Sequence, residues 1–275
     1  MGRDKALNGK VIIITGSSGG IGKCLAKYCC QLGAHVVING RNETKLQNTV
    51  NEFLALGYNI LPIRGDITNY KDCVHIVQKT NVYYGEVDVL INNASLTMNA
   101  SFESVSIKDF KEINDVNLIG AVQMTKATLV DLKRKEGSVI FLSSLAGLIG
   151  LPTASGYSAS KMALTAFWQS LRIELSTDKV HVGIAYISFT ENDPNKQMYG
   201  SGGQMVSVPK RPKLICQSQE KVARLITKQI VKRKSKIVLS PFGKIVSLLF
   251  QYFPQLSARL LMKITKINNL RKTQN

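Results

Sequence analysis

Short apolar runs and longer helical patterns alternate through the first 190 residues of the chain. The runs are Lys10–Thr15, His35–Asn39, Asn59–Arg64, Val87–Asn92, Ser138–Ser143 and His181–Ile187. They are apolar almost throughout, not at every second place, as strands buried on both faces require. Helical patterns fill the intervals: Gly20–Leu32, Glu43–Leu56, Tyr70–Tyr84, Ile107–Lys135 and Tyr157–Ser176. Parallel strands need a crossover, and a helix supplies it. The alternation therefore predicts an α/β fold built on a parallel, doubly wound sheet of about seven strands.

Past Ile187 the rhythm stops. Phe189–Gln217 is rich in Gly, Pro, Asn and Lys and predicts a long loop of the kind that serves as a lid. A helix over Ser218–Lys232 and a last strand over Lys236–Leu239 follow. The expected organisation is one unit over 1–240, with 189–216 facing substrate, and a C-terminal helical extension over 241–275. The five cysteines form no C-x-x-C pair, so they read as buried thiols of a reducing compartment. The polar start MGRDKALNGK has no apolar signal core, and a cytoplasmic start is expected.

The first strand leads into TGSSGGIGKC, residues Thr15 to Cys24. Gly22-Lys23 suggests a nucleotide triphosphate loop, but that motif needs a Gly where Ser17 stands and a Ser or Thr where Cys24 stands. The strict G-x-G-x-x-G spacing also fails, at Leu25. What remains is Gly16, Gly20 and Gly22 between a strand and a helix. Glycines there let backbone N–H groups approach a pyrophosphate at a helix N-terminus.

This stretch resembles the cofactor loop T-G-x-x-x-G-I-G of the short-chain dehydrogenase/reductase family, matched from Thr15 to Gly22. The resemblance covers about residues 8–240 and is loose beyond Ile187. It implies a Rossmann fold and cofactor contacts from Gly16, Ser18, Gly20, Ile21 and Gly22. It adds Asp66-Ile67 after the third strand and Asn93-Ala94 after the fourth, where Ser95 replaces the family's Gly. After the second strand, an acidic residue would bind a ribose 2′-OH and a basic one a 2′-phosphate. Asn39 takes the acidic position and Arg41 follows it, so NADP(H) is favoured over NAD(H).

The stretch SSLAGLIGLPTASGYSASK adds the chemistry. Tyr157 and Lys161 are four apart at the start of a helical pattern, so they share a face. Ser144 precedes Tyr157 by 13 residues, and Asn117 precedes Ser144 by 27. These intervals resemble the family's Asn-Ser-Tyr-Lys tetrad. Hydride transfer to a carbonyl builds charge on oxygen and needs a proton donor. A tyrosine hydroxyl, with pKa about 10, needs a nearby ammonium to act near neutrality. Tyr157 is then the general acid or base and Ser144 polarises the carbonyl. The resemblance implies that Lys161 lowers the Tyr157 pKa and binds the ribose and that Asn117 relays protons. Ile187-Ser188 replace the family's Pro-Gly. By register Asn192 takes the place of a Thr that contacts the carboxamide, with Thr190 close by. That departure leaves open an alternative, a cofactor-binding scaffold with weak turnover. The three histidines read as structural, and no metal site is expected.

Charge is uneven. Residues 1–209 hold 20 Lys and Arg against 17 Asp and Glu, whereas residues 210–275 hold 16 against one, Glu220. From Ile245 to Ala258 the tail is uncharged, too short and too broken by Pro254 to span a bilayer. Leu256, Leu260, Leu261 and Ile264 fall on one helical face among Arg259, Lys263 and Lys266. That pattern suits an interfacial helix on an anionic membrane, with a lid or subunit contact as the other reading. No nucleic-acid-reading motif is present. The family implies a lipophilic alcohol or ketone as substrate, such as a steroid, retinoid, sphingoid base or fatty carbonyl. It also implies a dimer or tetramer. Ser95–Ser101, Leu148–Ser155 and Phe189–Cys216 are the expected substrate-facing segments, with Lys196, Lys210, Arg211 and Lys213 available to an acidic group.

Overall fold

A computed structural model describes residues 6–191, 193, 196–209 and 216–272, with side chains described as far as residue 263. Its strands are β1 (Val11–Ile14), β2 (His35–Gly40), β3 (Ile60–Arg64), β4 (Val89–Asn92), β5 (Ser138–Ser144) and β6 (His181–Ile187), then β7 (Gln197–Tyr199), β8 (Met205–Ser207) and β9 (Lys236–Val238). Its helices are α1 (Gly20–Gln31), α2 (Glu43–Ala55), α3 (Tyr70–Tyr84), α4 (Ile107–Asn114), α5 (Gly120–Arg134), α6 (Ser155–Glu174), α7 (Gln219–Val231), α8 (Pro241–Tyr252) and α9 (Pro254–Lys272).

Seven parallel strands form one sheet in the order β3-β2-β1-β4-β5-β6-β9. The apolar runs are explained by cover on both faces. Ile12 and Ile14 pack with Leu25, Phe53 and Ile226 from α1, α2 and α7. Ile13, between them, packs on the opposite face with Ile76, Met124 and Leu164 from α3, α5 and α6. Successive strand residues point to opposite faces, so each must be apolar when both faces are covered. From β1 the chain winds one way to β3 and the other way from β4. That reversal opens a crevice at the carboxyl ends of β1 and β4.

Two expectations are corrected. The helix expected over Ile107–Lys135 is interrupted by a π turn, Asp115–Ile119, which contains Asn117. The apolar period does not reveal a single wider turn, and such turns are concentrated at functional sites. Within the expected loop Phe189–Gln217, β7 and β8 form an antiparallel hairpin around Ser201–Gly203. Three-residue strands carry too little periodicity to be seen in sequence.

Pro254 separates α8 from α9. Phe253, which precedes it, has φ −132° and ψ 57°, because the proline ring disfavours a helical residue before it. Among the described residues no helix is long and apolar enough to cross a membrane.

Candidate active site

The glycine loop is held from β4. Thr15 Oγ1 accepts from the backbone N–H groups of Asn93 and Ala94, at 3.0 and 3.1 Å. The Asn93 side-chain amide donates in return to the carbonyls of Thr15 and Gly16, both at 2.8 Å. Gly16 has φ 59°, and a Cβ there would sit 2.7 Å from Ala94 Cα. At Gly22 a Cβ would sit 2.5 Å from Asn93 Nδ2. Both positions therefore exclude any side chain. Ile21 packs on the core beneath α1. Lys23, which imitates a triphosphate-loop lysine, pairs instead with Glu52 of α2 at 2.5 Å.

The N-terminus of α1 carries an anion of the protein's own. Gly20 N–H donates to Asp193 Oδ2 at 2.9 Å. First-turn N–H groups lack intrahelical partners and sit at the positive end of the helix dipole. A carboxylate docked there stands in for a phosphate and shows that the loop presents its donors to an anion, so the residues fit a dinucleotide pyrophosphate.

On the adenosine side, Asn39 is buried, and its amide donates to the carbonyls of Ile63 and Gly65, both at 3.2 Å. Its side chain therefore looks into the sheet, not toward a ribose. Strand alternation moves the position beside the loop to Gly40, where a Cβ would lie 3.2 Å from Ser18 Oγ. No carboxylate stands at that position. The exposed guanidinium of Arg41 follows, 3.7 Å from Asp66 Oδ2. Asp66 Oδ1 accepts from both the N–H and the hydroxyl of Thr68, at 2.9 and 2.8 Å. Ile67 is buried against the start of α5, where a Cβ on Gly120 would lie 2.6 Å from it.

Ser144 ends β5, and its Oγ accepts from Ala146 N–H at 3.2 Å. Tyr157 and Lys161 lie in the first two turns of α6. Lys161 is only 2% exposed and donates to Leu142 O at 3.0 Å, with Nζ 5.8 Å from the centre of the Tyr157 ring. Burial, and then the nearby Lys196 ammonium, push its pKa down to about 7. Asn117 Oδ1 accepts from Leu96 N–H at 2.7 Å, and its Nδ2 donates to Leu96 O and Ser160 Oγ, both at 2.9 Å. Ser160 Oγ donates onward to Tyr157 O at 2.7 Å. The structure thus brings Asn117 to α6 through Ser160, a residue sequence reasoning passed over although it lies between Tyr157 and Lys161. Asp193 was also passed over, because only folding brings it to Gly20. Asn192, Lys210, Arg211 and Lys213 lie outside the described residues. Thr190 is buried, and its hydroxyl donates to Ser188 O at 3.3 Å.

The three expected substrate-facing segments converge. Asn99 N–H donates to Tyr199 O at 2.8 Å, Tyr199 N–H to Thr97 O at 2.9 Å and Ala100 N–H to Thr153 O at 2.9 Å. Met98, Ala100, Ile113, Ala154 and Tyr199 form an apolar cluster on which Leu96, Leu151 and Tyr157 pack. The Tyr199 hydroxyl donates to Glu112 Oε2 at 2.7 Å and ties β7 to α4. The five cysteines are free, and burial pushes the Cys29, Cys30 and Cys73 thiols up to about 12.

A doubly wound sheet with an anion-binding loop at its reversal point, and a Tyr and a buried Lys beside it, defines an oxidoreductase that uses a nicotinamide dinucleotide. The chain belongs to the short chain dehydrogenase family, whose model matches residues 10–199. It is an NAD(P)-dependent oxidoreductase acting on CH–OH and C=O groups. It is 31% identical to a 3-dehydrosphinganine reductase of Danio rerio, over 88% of this chain and 75% of that one. It is 35% identical to 11-beta-hydroxysteroid dehydrogenase-like 2 of Arabidopsis thaliana, over 71% of this chain and 65% of that one. Among solved structures, a short chain dehydrogenase/reductase of Burkholderia phymatum in complex with NAD has a TM-score of 0.79 at 21% identity, covering 91% of this chain and 96% of that one.

Proposed function

We propose that the protein is an NADP(H)-dependent reductase of a ketone on a long-chain lipophilic substrate, with a sphingoid 3-ketone the first choice. The observation that carries this reading is the apolar cluster of Met98, Ala154 and Tyr199 packed on Tyr157. A carbonyl presented to that tyrosine would enter between apolar walls. The 3-dehydrosphinganine reductase is matched over 88% of this chain and the hydroxysteroid dehydrogenase-like relative over 71%, which favours a sphingoid substrate over a steroid.

When bound, the nicotinamide supplies the hydride in reduction and takes it in oxidation. Tyr157 gives its hydroxyl proton to the carbonyl oxygen as the carbon is reduced. Ser144 Oγ, at the end of β5, donates to the same oxygen and stabilises its growing charge. Lys161, charged below about pH 7, favours the phenolate left behind and holds the nicotinamide ribose. Asn117 and Ser160 hold the backbone on either side of this proton route. Gly16, Ser18, Gly20, Ile21 and Gly22 would hold the pyrophosphate, and Asp66, Ile67, Asn93 and Ala94 would border the adenosine and nicotinamide halves. Arg41 would pair with a 2′-phosphate, with no carboxylate at Gly40 to oppose it.

Residues 241–275 form an extension on this unit and dock it peripherally on an anionic membrane from the cytoplasmic side, where a lipophilic substrate is dissolved. Exposed Val130, Met162 and Ile173 on α5 and α6 support self-association of the chain. The test is NADPH consumption with 3-dehydrosphinganine, run beside NADP⁺ reduction with an 11-beta-hydroxysteroid. Turnover of the sphingoid ketone supports the reading. Turnover of the steroid alone replaces the substrate, and turnover of neither removes the lipophilic assignment.

A further inference from the structure

Helix α8 is packed inside out. Its small residues Gly243 and Ser247 are buried, whereas Ile245, Leu248 and Tyr252 are 58%, 54% and 65% exposed. The spacing of these three puts them on one stripe. A helix that served only the core would turn that stripe inward. Phe242, at the start of the same helix, stacks on Phe189 with ring centres 6.0 Å apart and anchors α8 to the segment after β6. Exposed Leu256 and Leu260 add apolar surface on α9.

Beside this stripe, α7, β9 and the start of α8 enclose a groove of about 500 Å³. Five lysines line it, Lys221, Lys228, Lys234, Lys236 and Lys244, and its lining contains no Asp or Glu. Lys221 and Lys228 lie two turns apart on one face of α7. None of the five enters an ion pair among the described residues. Lys236 lies 5.5 Å over the Tyr186 ring. Like charges gathered in a concavity raise the local concentration of anions.

We propose that this lysine groove is a phosphate site that takes the headgroup of an anionic phospholipid when the α8 stripe sits in a bilayer. The inference rests on the membrane reading of the extension and goes beyond it, because it places headgroup recognition on α7 and β9 and makes it selective. Lys244 lines the groove and is followed at once by Ile245, with Leu248 one turn on. The occupant must therefore offer anionic and hydrocarbon groups within about one helical turn, ~5 Å. A lipid leaflet does so. Nucleic acid offers no hydrocarbon face, and a second copy of the chain brings another net charge of +18. A phosphomonoester headgroup, with more than one negative charge, should be held better than a serine headgroup.

The test is sedimentation of the full chain with phosphatidylcholine vesicles containing phosphatidylserine or a phosphatidylinositol phosphate. Two variants are compared: Lys221→Gln/Lys228→Gln/Lys244→Gln, and Leu248→Ser/Tyr252→Ser. NADPH binding serves as the control for folding. The wild type should bind the phosphoinositide vesicles best, with affinity falling steeply as salt rises. The lysine variant should bind them on the order of a hundredfold more weakly, and the stripe variant should lose binding to all vesicles. If the lysine variant binds like the wild type while the stripe variant does not bind, the groove proposal is overturned and the membrane reading stands. If the wild type ignores every vesicle, both fall. Binding of soluble inositol phosphates or RNA without vesicle binding, or dimerisation lost only in the stripe variant, also overturns the lipid site.

Discussion

Asp193, beyond the end of β6, places its carboxylate on the backbone N–H of Gly20, the first residue of α1, at 2.9 Å. The two residues are 173 positions apart in the chain. In the proposed function a pyrophosphate uses the same helix end, so the two anions compete for one set of donors. Asp193→Asn removes the charge and keeps the size. It should tighten NADPH binding roughly three- to tenfold, read as a lower Kd by fluorescence titration. Unchanged or weaker binding would mean that Asp193 and the pyrophosphate do not share this position.

In the proposed function Arg41 and Gly40 together read the ribose. Arg41→Ala should lower kcat/KM with NADPH on the order of ten- to a hundredfold and leave NADH almost unaffected. The measurement is the ratio of the two kcat/KM values. Equal losses with both cofactors would show that Arg41 supports the loop and does not read the phosphate.

Tyr157→Phe deletes the proposed proton donor but keeps the ring on its apolar wall. Turnover should fall roughly a hundred- to ten-thousandfold with the Kd for NADPH nearly unchanged. A variant that still turns over ketone at the wild-type rate would dismiss Tyr157 as the acid.

In the proposed function Lys161 sets a pH dependence. Its folded pKa is about 7, lowered first by burial and then by Lys196. Below that pH it is charged, so kcat/KM for reduction should fall as pH rises through about 7. Lys196→Ala removes a like charge and should move this fall to higher pH. A profile that stays put would assign it to another group. The unfolded lysine has a pKa of about 10.4. Between the two values the unfolded state binds more protons, so stability should rise with pH across that window. Chemical denaturation of Lys161→Met, which removes the titrating group, should lack this slope.

Much of this was legible from residue order alone. The strands were visible because a strand covered on both faces must be apolar at nearly every position, as Ile12, Ile13 and Ile14 are. The glycine loop was visible because Gly16 and Gly22 leave no room for a Cβ. Tyr157 and Lys161 share a helix face by simple period. These are local requirements, and a local requirement leaves its mark on neighbouring residues.

Other features depend on what folding brings together. The interval from Asn117 to Ser144 suggested a partnership, but only the π turn and Ser160 show how Asn117 reaches α6. The turn inward of Asn39 follows from the register of β2 against β3, which residue order does not state. Asp193 meets Gly20 across the sheet's carboxyl edge, and five lysines from α7, β9, α8 and the turn between α7 and β9 meet in one groove. Sequence determined which elements form, because backbone hydrogen bonding and burial act over a few residues. Tertiary structure decided which distant charges and polar groups face one another, because that depends on how the finished elements pack.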